Sequence, residues 1–360
     1  MPMNSFGNIF RLTGFGESHG AAIGGVIEGL PAGHRFSLAE VAHEVERRAP
    51  GRSLLTSQRR EPDKVEFLSG LMALDVESGE LSALASDTDI VVALGTPVGF
   101  FVRNSDVRSA DYDALRHLCR PSHADYAWNS RYGIRDWRGG GRSSGRETLS
   151  RVVAGAFARQ ILSSHGIAIN ARIVSLGGVS DPSDDMIAEM ITSARDARDS
   201  VGGTVECTIS GIPAGIGEPV FGKLDQMLVG AMLSIGAVKG VEFGMGFAGC
   251  NRYGSEVSDS FDVDSCGHPV CPENYSGGIQ GGISNGMPIV MRVAVKPTPT
   301  IPQPLHGISD TGELVTFKPH GRHDPCILPR VLPVIEAMAA MTLVDAICLR
   351  NASDGKRFLI

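Results

Sequence analysis

Strand-length runs rich in β-branched residues alternate with capped, helix-length segments along the chain, and that alternation confines it to a mixed α/β (α+β) fold. The segment "FSLAEVAHEVERRAPG" sets Ser37 three residues before Glu40, a capping box, and ends at Pro50-Gly51. It predicts a helix over about 38–48 with Arg47 and Arg48 at its C-terminal end. "SGRETLSRVVAGAFARQIL" repeats the start signal with Ser144 and Glu147, after which Val152, Val153, Ala156, Phe157 and Ile161 recur at helical spacing. Further helices are expected near 184–197, 223–235 and 329–348, and "DIVVALGT", "ARIVSL", "TVECTIS" and "IVMRVAVKP" read as strands. No Ser/Pro linker, low-complexity tract or repeat period interrupts the 360 residues, so one domain over 1–360 is the simplest organisation.

Charge narrows the function classes. With 33 basic and 40 acidic side chains the net charge is −7, which argues against nucleic acid or an anionic membrane as a partner. Seven scattered cysteines and no signal peptide suit a reducing cytoplasm. Cys266-Gly-His-Pro-Val-Cys271 fits no standard zinc spacing, so no metal is expected. The most apolar run, Val331 to Leu349, is interrupted by Pro333, Glu336 and Asp345 and reads as a buried helix rather than a membrane span.

Positive charge is instead concentrated locally. "RDWRGGGRSSGRET" places arginines around Gly139, Gly140 and Gly141, with Ser143 and Ser144 leading into a helix. Free backbone N–H groups, a positive helix end and guanidinium groups together form an anion cradle; a surface turn with paired arginines is the plainer alternative. Arg47, Arg48, Arg52, Arg59 and Arg60 make a second cluster. Two such clusters in an acidic protein point to a small ligand with several negative groups. His19 in "FGESHG" and His123 in "RPSHADY" are candidate proton carriers, and Asp324 in "GRHDPC" is either a base or a turn residue before Pro325.

Those segments, with "FGNIFRLTGFGESHG", "RRAPGRSLLTSQRREPD", "AVKGVEFGMGF", "GGISNGMPI" and "KPTPT", resemble the chorismate synthase family nearly end to end. The resemblance implies a β-α-β sandwich assembled as a homotetramer. It also implies a 1,4-anti elimination of phosphate from 5-enolpyruvylshikimate 3-phosphate, dependent on reduced FMN without net redox change. NADPH stays open as the source of reducing equivalents, with an external flavin reductase as the expected partner. By the same resemblance His19 assists the departing phosphate, His123 sets the protonation of the reduced flavin, and Asp324 acts in removing the substrate hydrogen by way of the flavin N5. Arg48 and Arg138 are expected to bind substrate. Flavin contacts are expected from Arg48, Arg142, Ser143, Ser144, Gly236, Ala237, Gly281, Lys296, Pro297, Thr298, Pro299, Thr300 and Arg322.

The chain departs from the family pattern at Leu54 and Arg52, at Gly145 where alanine is usual, and at Gly236 where asparagine is common. A phosphotransferase is the rival enzyme, but the glycine loop has no lysine. A flavin- or nucleotide-binding regulatory module is the rival without catalysis; it needs the cradle but not two histidines and an aspartate.

Overall fold

The computed structural model describes residues 4–51, 61–85, 87–106, 109–319 and 324–354. Its helices are α1 (Leu38–Arg48), α2 (Asp125–Tyr132), α3 (Thr148–Ser163), α4 (Asp184–Asp196), α5 (Leu224–Leu233), the single-turn α6 (Gly246–Gly249) and α7 (Leu328–Asp354). One five-stranded sheet runs Ser5–Phe6, Arg11–Phe15, Ala22–Glu28, Val98–Arg103, Val65–Phe67. A second runs Val179–Ser180, Ala168–Leu176, Gly203–Ser210, Ile289–Val295, Val238–Phe243. Every neighbouring pair in both is antiparallel. Helices lie between the sheets: α3 packs on Arg11–Phe15 and Ala22–Glu28 on one side, and α7, packed along α3, covers Ala168–Leu176 and Gly203–Ser210 on the other. This is the β-α-β layering expected, in its α+β form.

The layering follows from the residue pattern. Along Gly203–Ser210 the side chains of Val205, Cys207 and Ile209 are buried, and along Ile289–Val295 those of Ile289, Met291, Val293 and Val295, the period-two signature of a sheet with one covered face. Helix α3 is buried nearly all round, from Leu149 through Leu162, as a helix enclosed between two sheets must be. It meets α7 closely at Gly155, where an added Cβ would come 2.2 Å from the Ala337 Cβ.

Helix α7 is long and apolar enough to pass for a membrane span, yet 89% of its most apolar window is buried inside the protein. Its two buried acids explain why. Glu336 takes hydrogen bonds from Arg47 of α1, Arg159 of α3 and the Ala171 N–H of the sheet. Asp345 takes the backbone N–H groups of Asn8, Ile9 and Phe10 and the Asn8 side-chain amide, at 2.7–3.1 Å. Each acid therefore fastens the helix to other parts of the chain, and neither is left as an uncompensated charge.

The expected strands and the helices near 184–197 and 223–235 are present to within a few residues, and Pro297 falls beyond the end of its strand. One start signal opens a different element from the one expected. Ser144 caps a short 3₁₀ turn, Gly145–Glu147, by accepting from the Arg146 N–H, and the α-helix proper begins at Thr148. Two short 3₁₀ turns thus bridge the glycines to α3.

Candidate active site

The cavity opens at the end of the helical layer where α1 and α5 finish and α3 and α7 begin, so two positive helix ends face it. It encloses about 870 Å³. Its wall carries Arg48 from the last turn of α1, Arg120 and His123 from the turn before α2, Ser143, Ser144 and Arg142 from the glycine loop, and Asp324 and Arg330 at the start of α7. Gly236 and Ala237, between α5 and Val238–Phe243, and Lys296, Thr298, Pro299 and Thr300, just beyond Ile289–Val295, complete the opposite side.

Arg48 is the largest fully buried side chain that reaches this wall. Its Nη2 pairs with Asp63 Oδ2 at 2.6 Å, while Nε and Nη1 are buried without a hydrogen-bond partner among the described residues. Burial lowers its pKa most; Asp63 offsets part of this and the charges of Arg330 and Arg146 add to it, bringing it down to about 10. It stays charged at neutral pH, with orphaned donors that an anion satisfies. Arg146, by contrast, is spent inside the protein on Asp63 at 2.9 Å and on Asn104.

The three consecutive glycines have a structural reason. All three lie at positive φ, +60° at Gly139, +81° at Gly140 and +53° at Gly141, where side chains are disfavoured. A Cβ at Gly139 would come 2.2 Å from His19 Cε1, and one at Gly140 would come 3.2 Å from His123 Cε1. The loop is therefore laid directly over both histidines. His19 is buried behind Gly139, its Nδ1 3.1 Å from Ser18 Oγ and its ring edge-on to Tyr112, which itself lines the cavity.

His123 Nδ1 lies 2.9 Å from Asp125 Oδ1. Burial lowers the His123 pKa most; the Asp125 hydrogen bond opposes this and the Arg120 charge reinforces it, so the ring is held below its ordinary value. Burial alone pushes the Asp125 carboxyl up, but hydrogen bonds from His123 and Arg120 outweigh it and hold the group well below the usual carboxylate range. Ser122, just before the histidine, has φ +58° and its carbonyl accepts from Lys296 Nζ at 2.6 Å. Burial, then neighbouring Lys239, lowers the Lys296 pKa. Ala237, at φ +73°, is a second non-glycine residue in the left-handed region on this wall. Asp324 is gripped by Arg330 Nη1, and its carbonyl accepts from Thr298 Oγ1 at 2.8 Å.

Not every expected residue meets here. Arg138 pairs with Asp136 at 2.9 Å and lines an adjoining hollow of about 640 Å³ on the outer side of the glycine loop. Gly281, in the turn between Ile279–Gln280 and Ile283–Ser284, and Pro297 are absent from the cavity wall, and His19 lies behind Gly139 rather than on that wall. Arg322, Arg52, Leu54, Arg59 and Arg60 lie outside the described residues. Among the described residues a group able to hold a metal is formed by Asp264, Cys266 and His268, all exposed; Cys271 is buried and takes no part. Arg120, Asp125, Arg330 and Tyr112 were missed. The first two flank His123 in "RPSHAD" and were there to be noticed, whereas Arg330 becomes meaningful only once α7 is known to start beside Asp324.

The sequence pattern of the family described as chorismate synthase matches residues 10–348. A chorismate synthase of Phocaeicola vulgatus is 48% identical over 364 residues, covering 95% of this chain and 97% of the relative. One of Christiangramia forsetii is 46% identical, covering 96% and 97%. A solved structure described as a crystal structure of chorismate synthase superimposes with a TM-score of 0.71 at 28% identity, over 97% of this chain and 94% of the other. With its layered fold, its full-length match and its basic cavity under the glycine loop, the chain belongs to the chorismate synthase family.

Proposed function

We propose that the basic cavity is where this chain carries out the family's reaction, elimination of phosphate from 5-enolpyruvylshikimate 3-phosphate to give chorismate, a carbon–oxygen lyase activity. The observation that carries the reading is the meeting of His123, Asp324 and the half-satisfied Arg48 on one wall. That set joins a proton acceptor, a carboxylate and an unspent cation, which a nucleotide-binding module does not require, and the glycine loop lacks the lysine of a phosphotransferase.

The site also suits a flavin mononucleotide. The orphaned Arg48 donors call for an anion, and the volume is that of a cofactor pocket. Arg142, Ser143, Ser144, Gly236, Ala237, Lys296, Thr298, Pro299 and Thr300 are the residues that would hold it, with Arg48 shared between cofactor and substrate. Reduced FMN, when bound, supplies the electron-rich ring that eases departure of phosphate from an allylic carbon. The protein's own part is electrostatic and protonic. Arg48 and Arg330 neutralise the substrate's anions, His19 beneath Gly139 stands ready to assist the leaving phosphate, His123 holds or releases a proton within the site, and the Asp324 carboxylate takes part in removing the substrate hydrogen. NADPH as the reductant by way of an external flavin reductase, a cytoplasmic location, a single domain and a homotetramer belong to the same reading.

The test is an anaerobic assay with chemically reduced FMN and 5-enolpyruvylshikimate 3-phosphate, following phosphate and chorismate together. Equal release of both, and none with oxidised FMN, is expected. Phosphate without chorismate, or turnover without reduced flavin, overturns the reading.

A further inference from the structure

Away from the cavity, a short hairpin gathers three metal-ligating side chains of three different kinds. Its strands are Asp262–Val263 and Pro269–Val270, paired antiparallel. In the turn between them, "DSCGH", Asp264, Cys266 and His268 stand at alternate positions, and their ligand atoms all lie within 4.8 Å of one another. None of the three is on the cavity wall, so the elimination leaves them without a task.

The backbone brings them together. Asp264 N–H donates to the His268 carbonyl at 2.9 Å and Gly267 N–H to the Asp264 carbonyl at 3.0 Å, which closes the turn. Gly267, at φ +85°, supplies the left-handed residue that the reversal needs. Asp264 Oδ1 accepts the backbone N–H groups of Cys266 and His268, each at 2.8 Å, so one carboxylate oxygen is fastened to the turn. The other, Oδ2, faces His268 Nδ1 at 3.2 Å. An oxygen and a ring nitrogen are thus held side by side, with an exposed thiol from the same turn in reach. Cys271, the second cysteine of the segment, is buried and takes no part. The spacing of the two cysteines argues against a metal, but the folded turn offers a different donor set, with Asp264 and His268 in place of Cys271.

We propose that this turn binds one divalent cation of the zinc class through Asp264 Oδ2, Cys266 Sγ and His268 Nδ1, with water as the fourth ligand. A tetrahedral ion about 2.0–2.1 Å from a nitrogen and from a carboxylate oxygen sets those two atoms about 3.3 Å apart. The Oδ2–Nδ1 separation of 3.2 Å already has that value. A hydrogen bond accounts for the same spacing but gives the thiol no role, whereas an ion uses all three groups. Drawing the sulfur in takes only rotation of an exposed side chain. Magnesium and calcium are disfavoured, because they want several oxygen ligands and the turn offers one carboxylate beside a thiol and an imidazole. As the metal–sulfur bond forms, the Cys266 thiol gives its proton to solvent, and the imidazole binds through the Nδ1 lone pair with its own proton on Nε2. Thiolate and carboxylate then balance the two positive charges of the ion. The ion pins the hairpin and has no part in the chemistry of the cavity.

The experiment titrates the reduced full chain, stripped of metal, with cobalt(II) alone, without flavin or substrate, so that its outcome is separate from the reading of the cavity. A thiolate-to-cobalt charge-transfer band with the visible absorption of a tetrahedral ion is expected, saturating at one equivalent, bleached by zinc and untouched by magnesium or calcium. Cys266→Ser should abolish the band. His268→Gln, and Asp264→Asn, which keeps an oxygen for the two backbone N–H groups, should each weaken binding by at least about 10-fold. Cys271→Ser and Cys250→Ser should leave the band in place, which excludes the other cysteines of this region. Absence of the band under excess cobalt, its survival in Cys266→Ser, or an affinity that neither His268→Gln nor Asp264→Asn alters overturns the proposal.

Discussion

Substituting alanine at two glycines six residues apart separates the geometry of the loop from its composition. At Gly139 the backbone sits at φ +60° and a methyl group would lie 2.2 Å from His19 Cε1 and 2.3 Å from its Nδ1. Left-handed backbone costs a side-chain-bearing residue about 1–2 kcal/mol. Relieving the overlap moves a buried ring by about 1 Å, an overpacking cost of about 1–3 kcal/mol more. Gly139→Ala should therefore lose about 2–5 kcal/mol in urea unfolding, followed by the fluorescence of Trp128 and Trp137 beside the loop. Displacing a site group by about 1 Å should also cut kcat by about 10²-fold. Gly145 has open space around it and no positive φ. There alanine restricts only the unfolded chain, so Gly145→Ala should be neutral to about 1 kcal/mol more stable, with activity unchanged. Should Gly139→Ala unfold at the same urea concentration with full activity, or Gly145→Ala fall as far as its neighbour, the account of why this loop is glycine-rich is wrong.

Gly155→Ala should destabilise by about 1–3 kcal/mol despite the better helix propensity of alanine, because its methyl group meets Ala337 at 2.2 Å across the α3–α7 contact; a variant as stable as the parent in thermal unfolding contradicts that crossing. Arg48→Met should bind reduced FMN or substrate at least about 10-fold more weakly, since it removes the unspent donors, and it should still fold because Asp63 keeps Arg146 at 2.9 Å; equilibrium dialysis showing unaltered affinity argues against the anion role. The folded His123 ring takes its proton at lower pH than the unfolded one. Its share of stability is therefore complete above about pH 6.5 and is lost as pH falls through that value toward the lowered folded one. For Asp125, also depressed, the share is complete above about pH 4 and is lost only on further acidification. His123→Gln should abolish the upper limb of a stability-against-pH curve; a limb that persists assigns it to another group.

Much of the helical layer was legible because its signals are local. Ser37 with Glu40 marks α1, where Ser37 Oγ does accept the Glu40 N–H, and the burial pattern of Gly203–Ser210 and Ile289–Val295 repeats an alternation visible in the letters. The sheet containing Ala22–Glu28 was not legible, because Gly24 and Gly25 weaken any propensity signal. They are there because a Cβ at Gly24 would come 2.4 Å from the Phe100 carbonyl and one at Gly25 2.8 Å from Leu12, which is tertiary information. The site shows the same division. Arg48, His123, Ser143 and Asp324 were nameable from family likeness, but which arginines stay available could not be read from a run of charges. Arg146 turns inward to Asp63 and Arg138 to Asp136, whereas Arg48 keeps two buried donors without a partner among the described residues. That distinction depends on partners brought from distant parts of the chain.

The Asp345 clamp has a consequence for biosynthesis. Asn8 and the carboxylate that holds it are 337 positions apart, so during translation the opening loop emerges long before its anchor exists. At about 5–20 residues per second this is a wait of tens of seconds, with Phe10 and the strand after it lacking the surface that finally covers them. A ribosome-bound chain cannot close this architecture early; completion is deferred until the last helix leaves the exit tunnel. Intolerance of truncation through α7 follows from the way Asp345 is joined to Asn8, Ile9 and Phe10.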